Sequence, residues 1–206
     1  MSKQLERSLT ATEMIEMLPN TLIVSYDSLC EFNDIDEILG ERKQFVLLYL
    51  TLSEHVGHWT CVFVSDKRPN ELQFFDSYGL APDTDQFRGV DERLMERTTQ
   101  SYSVLSELMA DSRYKKITYN PYRLQTNKVS SCGRFVITRL WLKNLTDLEY
   151  FKFMNSSPYY PDKLATALVE NALRGYILSP LAIVVHETIN KGGKHEALPG
   201  SIDDDM

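Results

Sequence analysis

His58, Asp76, Gln125 and Cys132 are, in chain order, the residue types that thiol-based acyl chemistry uses. A cysteine nucleophile needs a base to take its proton, a group to orient that base, and donors where negative charge develops on the attacked carbonyl. Gln125 precedes Cys132 by seven residues, close enough for a loop to aim its side-chain amide, with the Cys132 N–H, at an oxyanion. Asn120 and Asn127 are alternative donors. The thiol sits in Ser130-Ser131-Cys132-Gly133, ahead of the apolar run Phe135, Val136, Leu140 and Trp141, which places it at the start of a helix. Free N–H groups and the positive dipole end favour a thiolate there. The segment 112–146 has eight Lys and Arg and no Asp or Glu, a local charge expected to lower the thiol pKa further.

A sheet edge and that helix must bring these groups together. Gln44–Leu52 and His58–Ser65 read as strands rich in β-branched and aromatic residues, and the turn Asp66–Asn70 leads to a third, Glu71–Asp76. On the second strand Trp59, Cys61 and Phe63 share one face, and His58, Thr60, Val62 and Val64 the other. His58 begins its strand and Asp76 ends the antiparallel neighbour, so both fall at one edge. Around this centre, Thr10–Glu13 reads as a capping box for a short helix ended by Pro19, and Leu22–Val24 as a short strand. Asn33 is read as the cap of a helix stopped by Gly40, and Val90–Met109 holds one or two helices. Ile117–Tyr119 is a further strand, the Cys132 helix runs to about Asn144, Leu148–Met154 is helical, and Asp162 is read as capping a last helix to Gly175. Ile183–His186 fits either class.

The pieces His58-Trp59, then Phe75-Asp76-Ser77-Tyr78-Gly79, then Gln125, then Cys132-Gly133 opening a helix, resemble the adenovirus maturation protease (adenain-like) family of cysteine peptidases. They resemble more distantly the proteases that process ubiquitin-like modifiers. The likeness covers roughly residues 44 to 145, and the Gln-to-Cys interval of seven is of the adenoviral type. It implies an α+β fold, with a central, mostly antiparallel sheet flanked by helices and a papain-like site reached in a different chain order. In that site Cys132 attacks, His58 is general base and acid, Asp76 orients His58, and Gln125 helps form the oxyanion hole. Trp59 would shield the thiolate–imidazolium pair, where a lower dielectric strengthens the attraction. Two departures bear on cofactors. Tyr114 stands where the best-studied adenoviral branch has the cysteine that takes an activating peptide, and the acidic chain disfavours a DNA requirement despite Arg113, Lys115 and Lys116.

Each residue also has an ordinary reading: Cys132 as an inert helix-start cysteine, His58 as a strand-edge histidine, Asp76 as the start of a turn. The His55/His58 pair lacks a third ligand close by, so no metal is expected. Cys30 and Cys61 are read as buried hydrophobes, and Tyr159-Tyr160 as packed surface. Three cysteines without a short-spaced pair argue against a disulfide framework and a zinc ribbon. At 206 residues and 43% hydrophobic, residues 1–189 suffice for one domain, and the Gly-, Lys-, Pro- and Asp-rich 190–206 reads as a disordered tail. That tail contains Lys191-Gly192-Gly193-Lys194, which resembles a glycine-containing cleavage site. No apolar run is long enough to span a bilayer and Met1–Ser8 is charged, so the expectation is a soluble protein of the host cytoplasm, nucleus or virion. The net charge of −7 argues against general nucleic-acid affinity.

The expected activity is that of a virus-encoded maturation protease cutting capsid or core precursors at small-residue, often Gly-containing sites. The rivals are an isopeptidase acting on ubiquitin-like conjugates of a host and a non-catalytic interaction module of the same fold.

Overall fold

The computed structural model describes residues 7–53, 56–84, 93, 102–127, 129–156 and 160–175. Helix α1 (Ala11–Met17) opens on the expected capping box of Thr10 and Glu13. Strand β1 (Leu22–Ser25) runs into a 3-10 turn (Tyr26–Glu31) that the sequence did not announce, followed by α2 (Ile35–Leu39). Then come β2 (Gln44–Ser53), β3 (Val56–Ser65), β4 (Arg68–Phe75), α3 (Val104–Ala110) and β5 (Lys116–Tyr119). Helices α4 (Cys132–Trp141), α5 (Asp147–Met154) and α6 (Pro161–Leu173) complete the described chain.

The strands lie in the order β1-β2-β3-β4-β5. The central pairs β2–β3 and β3–β4 are antiparallel, as expected, but β1 joins β2 and β5 joins β4 in parallel. The sheet is therefore mixed rather than mostly antiparallel. Only two residues separate β2 from β3 and β3 from β4, which forces antiparallel neighbours, whereas helix-bearing crossovers lead into β2 and β5 and permit parallel ones.

Alternation along the strands gives the sheet two apolar faces. On one, Val46, Leu48, Trp59, Cys61, Phe63 and Phe75 pack against Phe135, Val136, Ile137 and Leu140 of α4, backed by α1, α5 and α6. On the other, Phe45, Leu47, Val62, Val64 and Phe74 meet Tyr26, Leu29, Ile38 and Leu105. As the central helix, α4 is buried from Cys132 to Leu140.

Three further expectations are corrected. The α2 cap is Asp34, not Asn33, because its carboxylate reaches the Asp36 N–H at 2.8 Å. Helix α6 starts on Pro161 behind Tyr160, so Asp162 lies inside the first turn and does not cap it. Cys30 is exposed, its thiol donating to the Asp27 carbonyl at 3.1 Å, while Cys61 is buried as expected. The readings for Ile183–His186, residues 190–206, His55, Tyr159 and most of 90–101 lie outside the described residues. Among the described residues no helix is long and apolar enough to cross a membrane.

Candidate active site

The β3–β4 register pairs Cys61 with Phe75, so Asp76, one residue past β4, falls beside Thr60 and two residues from His58 along β3. His58 Nε2 lies 2.7 Å from Asp76 Oδ1. The same buried oxygen accepts the Tyr78 N–H at 2.9 Å, and the turn continues into Gly79 at φ +76°, where a Cβ would come within 2.9 Å of the Tyr122 carbonyl carbon. Asn120, just beyond β5, uses its amide N–H groups on the carbonyls of Asp76 and Tyr122, each at 2.9 Å. That commitment removes Asn120 as an oxyanion donor. On the other side of His58, Gly57 lets β3 close on β2: a Cβ there would lie 1.9 Å from the Tyr49 carbonyl oxygen. The Tyr78 ring stacks on the imidazole, with centroids 5.0 Å apart.

Cys132 opens α4 and is hydrogen-bonded to His58, with the backbone N–H groups of Trp59 and Gly133 also directed at its sulfur. Burial pushes the thiol pKa up, but the His58 hydrogen bond and charge and the two N–H groups outweigh it and hold the thiol below its ordinary value. Burial likewise pushes the imidazole down, and the bonds to Asp76 and Cys132 overcome it, leaving His58 well above its ordinary value. These opposite shifts favour a thiolate–imidazolium pair. The leading causes are burial, His58 and the two N–H groups rather than the basic segment, whose Arg134 and Arg139 are buried and paired with Glu170 at 2.9 Å and Asp147 at 3.0 Å.

Gln125 is buried in the loop before α4. Its Oε1 accepts the Ser77 hydroxyl at 2.6 Å and its Nε2 donates to the Val129 carbonyl at 2.8 Å, which fixes the amide plane and leaves the second N–H of Nε2 for the cleft. Ser131, at the α4 N-cap position, makes no side-chain cap; its hydroxyl donates instead to Asp162 Oδ1 at 2.5 Å. The first N–H groups of α4, that of Cys132 included, therefore have no side-chain cap from Ser131. Gln125, Cys132 and His58 all line an open cleft of about 750 Å³. Asn127 lines it too, but its side-chain oxygen takes a hydrogen bond from Arg123. Trp59 packs over Gly133 on the adjoining apolar shoulder, its indole N–H donating to the Leu9 carbonyl at 3.3 Å.

The sequence-predicted quartet thus converges, with Trp59 beside it. Several supporting residues were not foreseen. Asp162 accepts both the Ser131 hydroxyl and, at 3.3 Å, the Thr126 N–H, bracketing the Gln125–Cys132 loop from a helix 30 residues on. Burial raises its carboxyl pKa. The segment before α1 walls the cleft: Ser8 lines it, and the Arg7 carbonyl accepts from buried Arg134 at 2.8 Å. Ser77 and Ser131 stood in motifs the sequence singled out, and Asp162 was read as a helix cap, but none was read as a support of the site. Tyr114 bonds through its hydroxyl to Asp36 at 2.8 Å, and two of the three basic residues near it are paired, Arg113 with Asp36 and Lys116 with Glu71.

Fold and site together define an α+β protein with a cysteine, a histidine and an aspartate assembled at the sheet edge. No protein-family model matches the chain. It is similar to Uncharacterized protein V9 of Sputnik virophage, at 33% identity over 168 residues that cover 78% of this chain and 93% of that protein. The chain belongs to that protein's family, which has a viral member.

Proposed function

We propose that this chain is a cysteine endopeptidase with the adenain-like protease fold, encoded by a virus and cutting capsid or core precursor proteins at small-residue, Gly-containing sites. The observation that carries the reading is the hydrogen-bonded chain Asp76–His58–Cys132 at an open cleft, with the thiol lowered and the imidazole raised. The Cys132 thiolate attacks the scissile carbonyl carbon. The oxygen that becomes negative is met by the free Gln125 N–H and the Cys132 N–H. His58 gives its proton to the departing amine nitrogen, leaving an acyl-thioester. It then takes a proton from water, whose oxygen attacks the thioester carbonyl; the C–S bond breaks, the acid product leaves, and the thiolate–imidazolium pair is restored. Asp76 keeps the imidazole oriented throughout. The likeness to a virophage protein supports the viral origin in this reading.

The test is incubation of the purified chain with the structural proteins of its virus, followed by mass spectrometry of new termini. The expected result is discrete cuts that disappear with Cys132→Ala. Preferential cleavage of ubiquitin-like conjugates would move the assignment to an isopeptidase, and no hydrolysis of either would leave a binding module.

A further inference from the structure

We propose that Arg123 forms a subsite for an acidic side chain on the leaving-group side of the cleft, so that preferred substrates carry Asp or Glu within the first few residues after the scissile bond. The inference rests on the protease reading and specifies its substrate. Among the described residues no Asp or Glu lines the 750 Å³ cleft, and apart from His58 the charged residue lining it is Arg123. Arg123 is exposed to the solvent of the cleft, and no ion pair among the described residues involves it.

The guanidinium is nonetheless held in place. Its Nε donates to the Gln125 carbonyl at 3.2 Å, its Nη2 to the Asn127 side chain, and its carbon lies 5.5 Å from the Tyr78 ring centre. These bonds use two of five N–H groups and leave the others for a ligand. A planar, already oriented fork suits a carboxylate, because little side-chain entropy remains to be lost on binding. The direction follows from the chemistry. His58 protonates the departing amine, Tyr78 stacks on His58, and Arg123 lies against Tyr78, so the chain on the amine side of the bond passes Arg123.

The test uses the full chain and a random-sequence peptide library read by mass spectrometry, then matched peptides that differ only by Glu or Gln after the cut. The expected result is enrichment of Asp and Glu downstream of the cuts, with kcat/KM about tenfold higher for Glu than for Gln, the scale of one charge-assisted hydrogen bond. This ratio should shrink with added salt, fall to about one in Arg123→Gln, persist in part in Arg123→Lys, and invert in favour of Lys-bearing peptides in Arg123→Glu. Alkylation of Cys132 in each variant verifies that the site is assembled. Cuts without acidic enrichment, or an equal Glu-to-Gln ratio in the native chain and Arg123→Gln, overturn the subsite alone. A library left wholly uncut overturns the protease reading and the subsite with it.

Discussion

At Cys132 and His58 the two shifts have opposite signs, and the proposed reaction would run in the pH range between them. Below the lowered thiol pKa the sulfur is protonated; above the raised imidazole pKa the general acid has lost its proton. A bell-shaped kcat/KM profile is expected, its acid limb below the ordinary thiol range and its alkaline limb above the ordinary histidine range. Asp76→Asn removes a contribution that raises the His58 pKa, so its alkaline limb should move to lower pH as the rate falls. Gln125→Ala should lower kcat by roughly 10² to 10³, the usual scale for one oxyanion donor, with little change in KM. The quartet was legible in the sequence because each residue's type and interval carry chemical meaning. The cause of the thiol's shift was not, since the charges of 112–146 are neighbours along the chain but Arg134 and Arg139 are neutralised across space. Asp162 was hidden for a related reason: an Asp near a helix start reads as a cap, and nothing local announces that its carboxylate serves another loop.

The elements positioning the site are β3, the end of β4 and the first turn of α4. The sequence placed the three central strands and their antiparallel pairing, because period-2 alternation and short turns determine such neighbours, but β4 begins at Arg68, so three residues of the expected turn Asp66–Asn70 are strand and Asp76 lies just beyond it. It did not show that β1 and β5 add in parallel, since an apolar run of four residues does not name its partner. The close approach of β2 to β3 at Gly57 is the most constrained contact beside the site. Gly57→Ala would place a methyl 1.9 Å from the Tyr49 carbonyl oxygen, so the strands must part. The expected cost is about 3 kcal/mol in urea unfolding, with loss of activity through displacement of His58.

Across the whole molecule, Arg134 joins three regions. From within α4 its guanidinium reaches the Arg7 carbonyl of the segment before α1, the Ser130 carbonyl and the Glu170 carboxylate of α6. Glu170→Ala would leave a buried cation with carbonyls but no carboxylate. Its expected cost is about 3 kcal/mol by denaturant midpoint. The loss should exceed that of Lys116→Ala, which breaks an exposed pair. The molecule thus holds α4, the helix that carries Cys132, through ionic ties that hydrophobic patterning could not reveal.

The most direct measurement of the central claim is the rate of Cys132 alkylation by iodoacetamide as a function of pH, followed by peptide mass spectrometry in the native chain and in His58→Ala. A thiolate held by the imidazolium should react rapidly from mildly acidic pH upward in the native chain. In His58→Ala its titration should shift markedly toward the ordinary thiol range. If Cys132 titrates as an ordinary buried thiol in both proteins, the sulfur and the imidazole do not form the reactive pair.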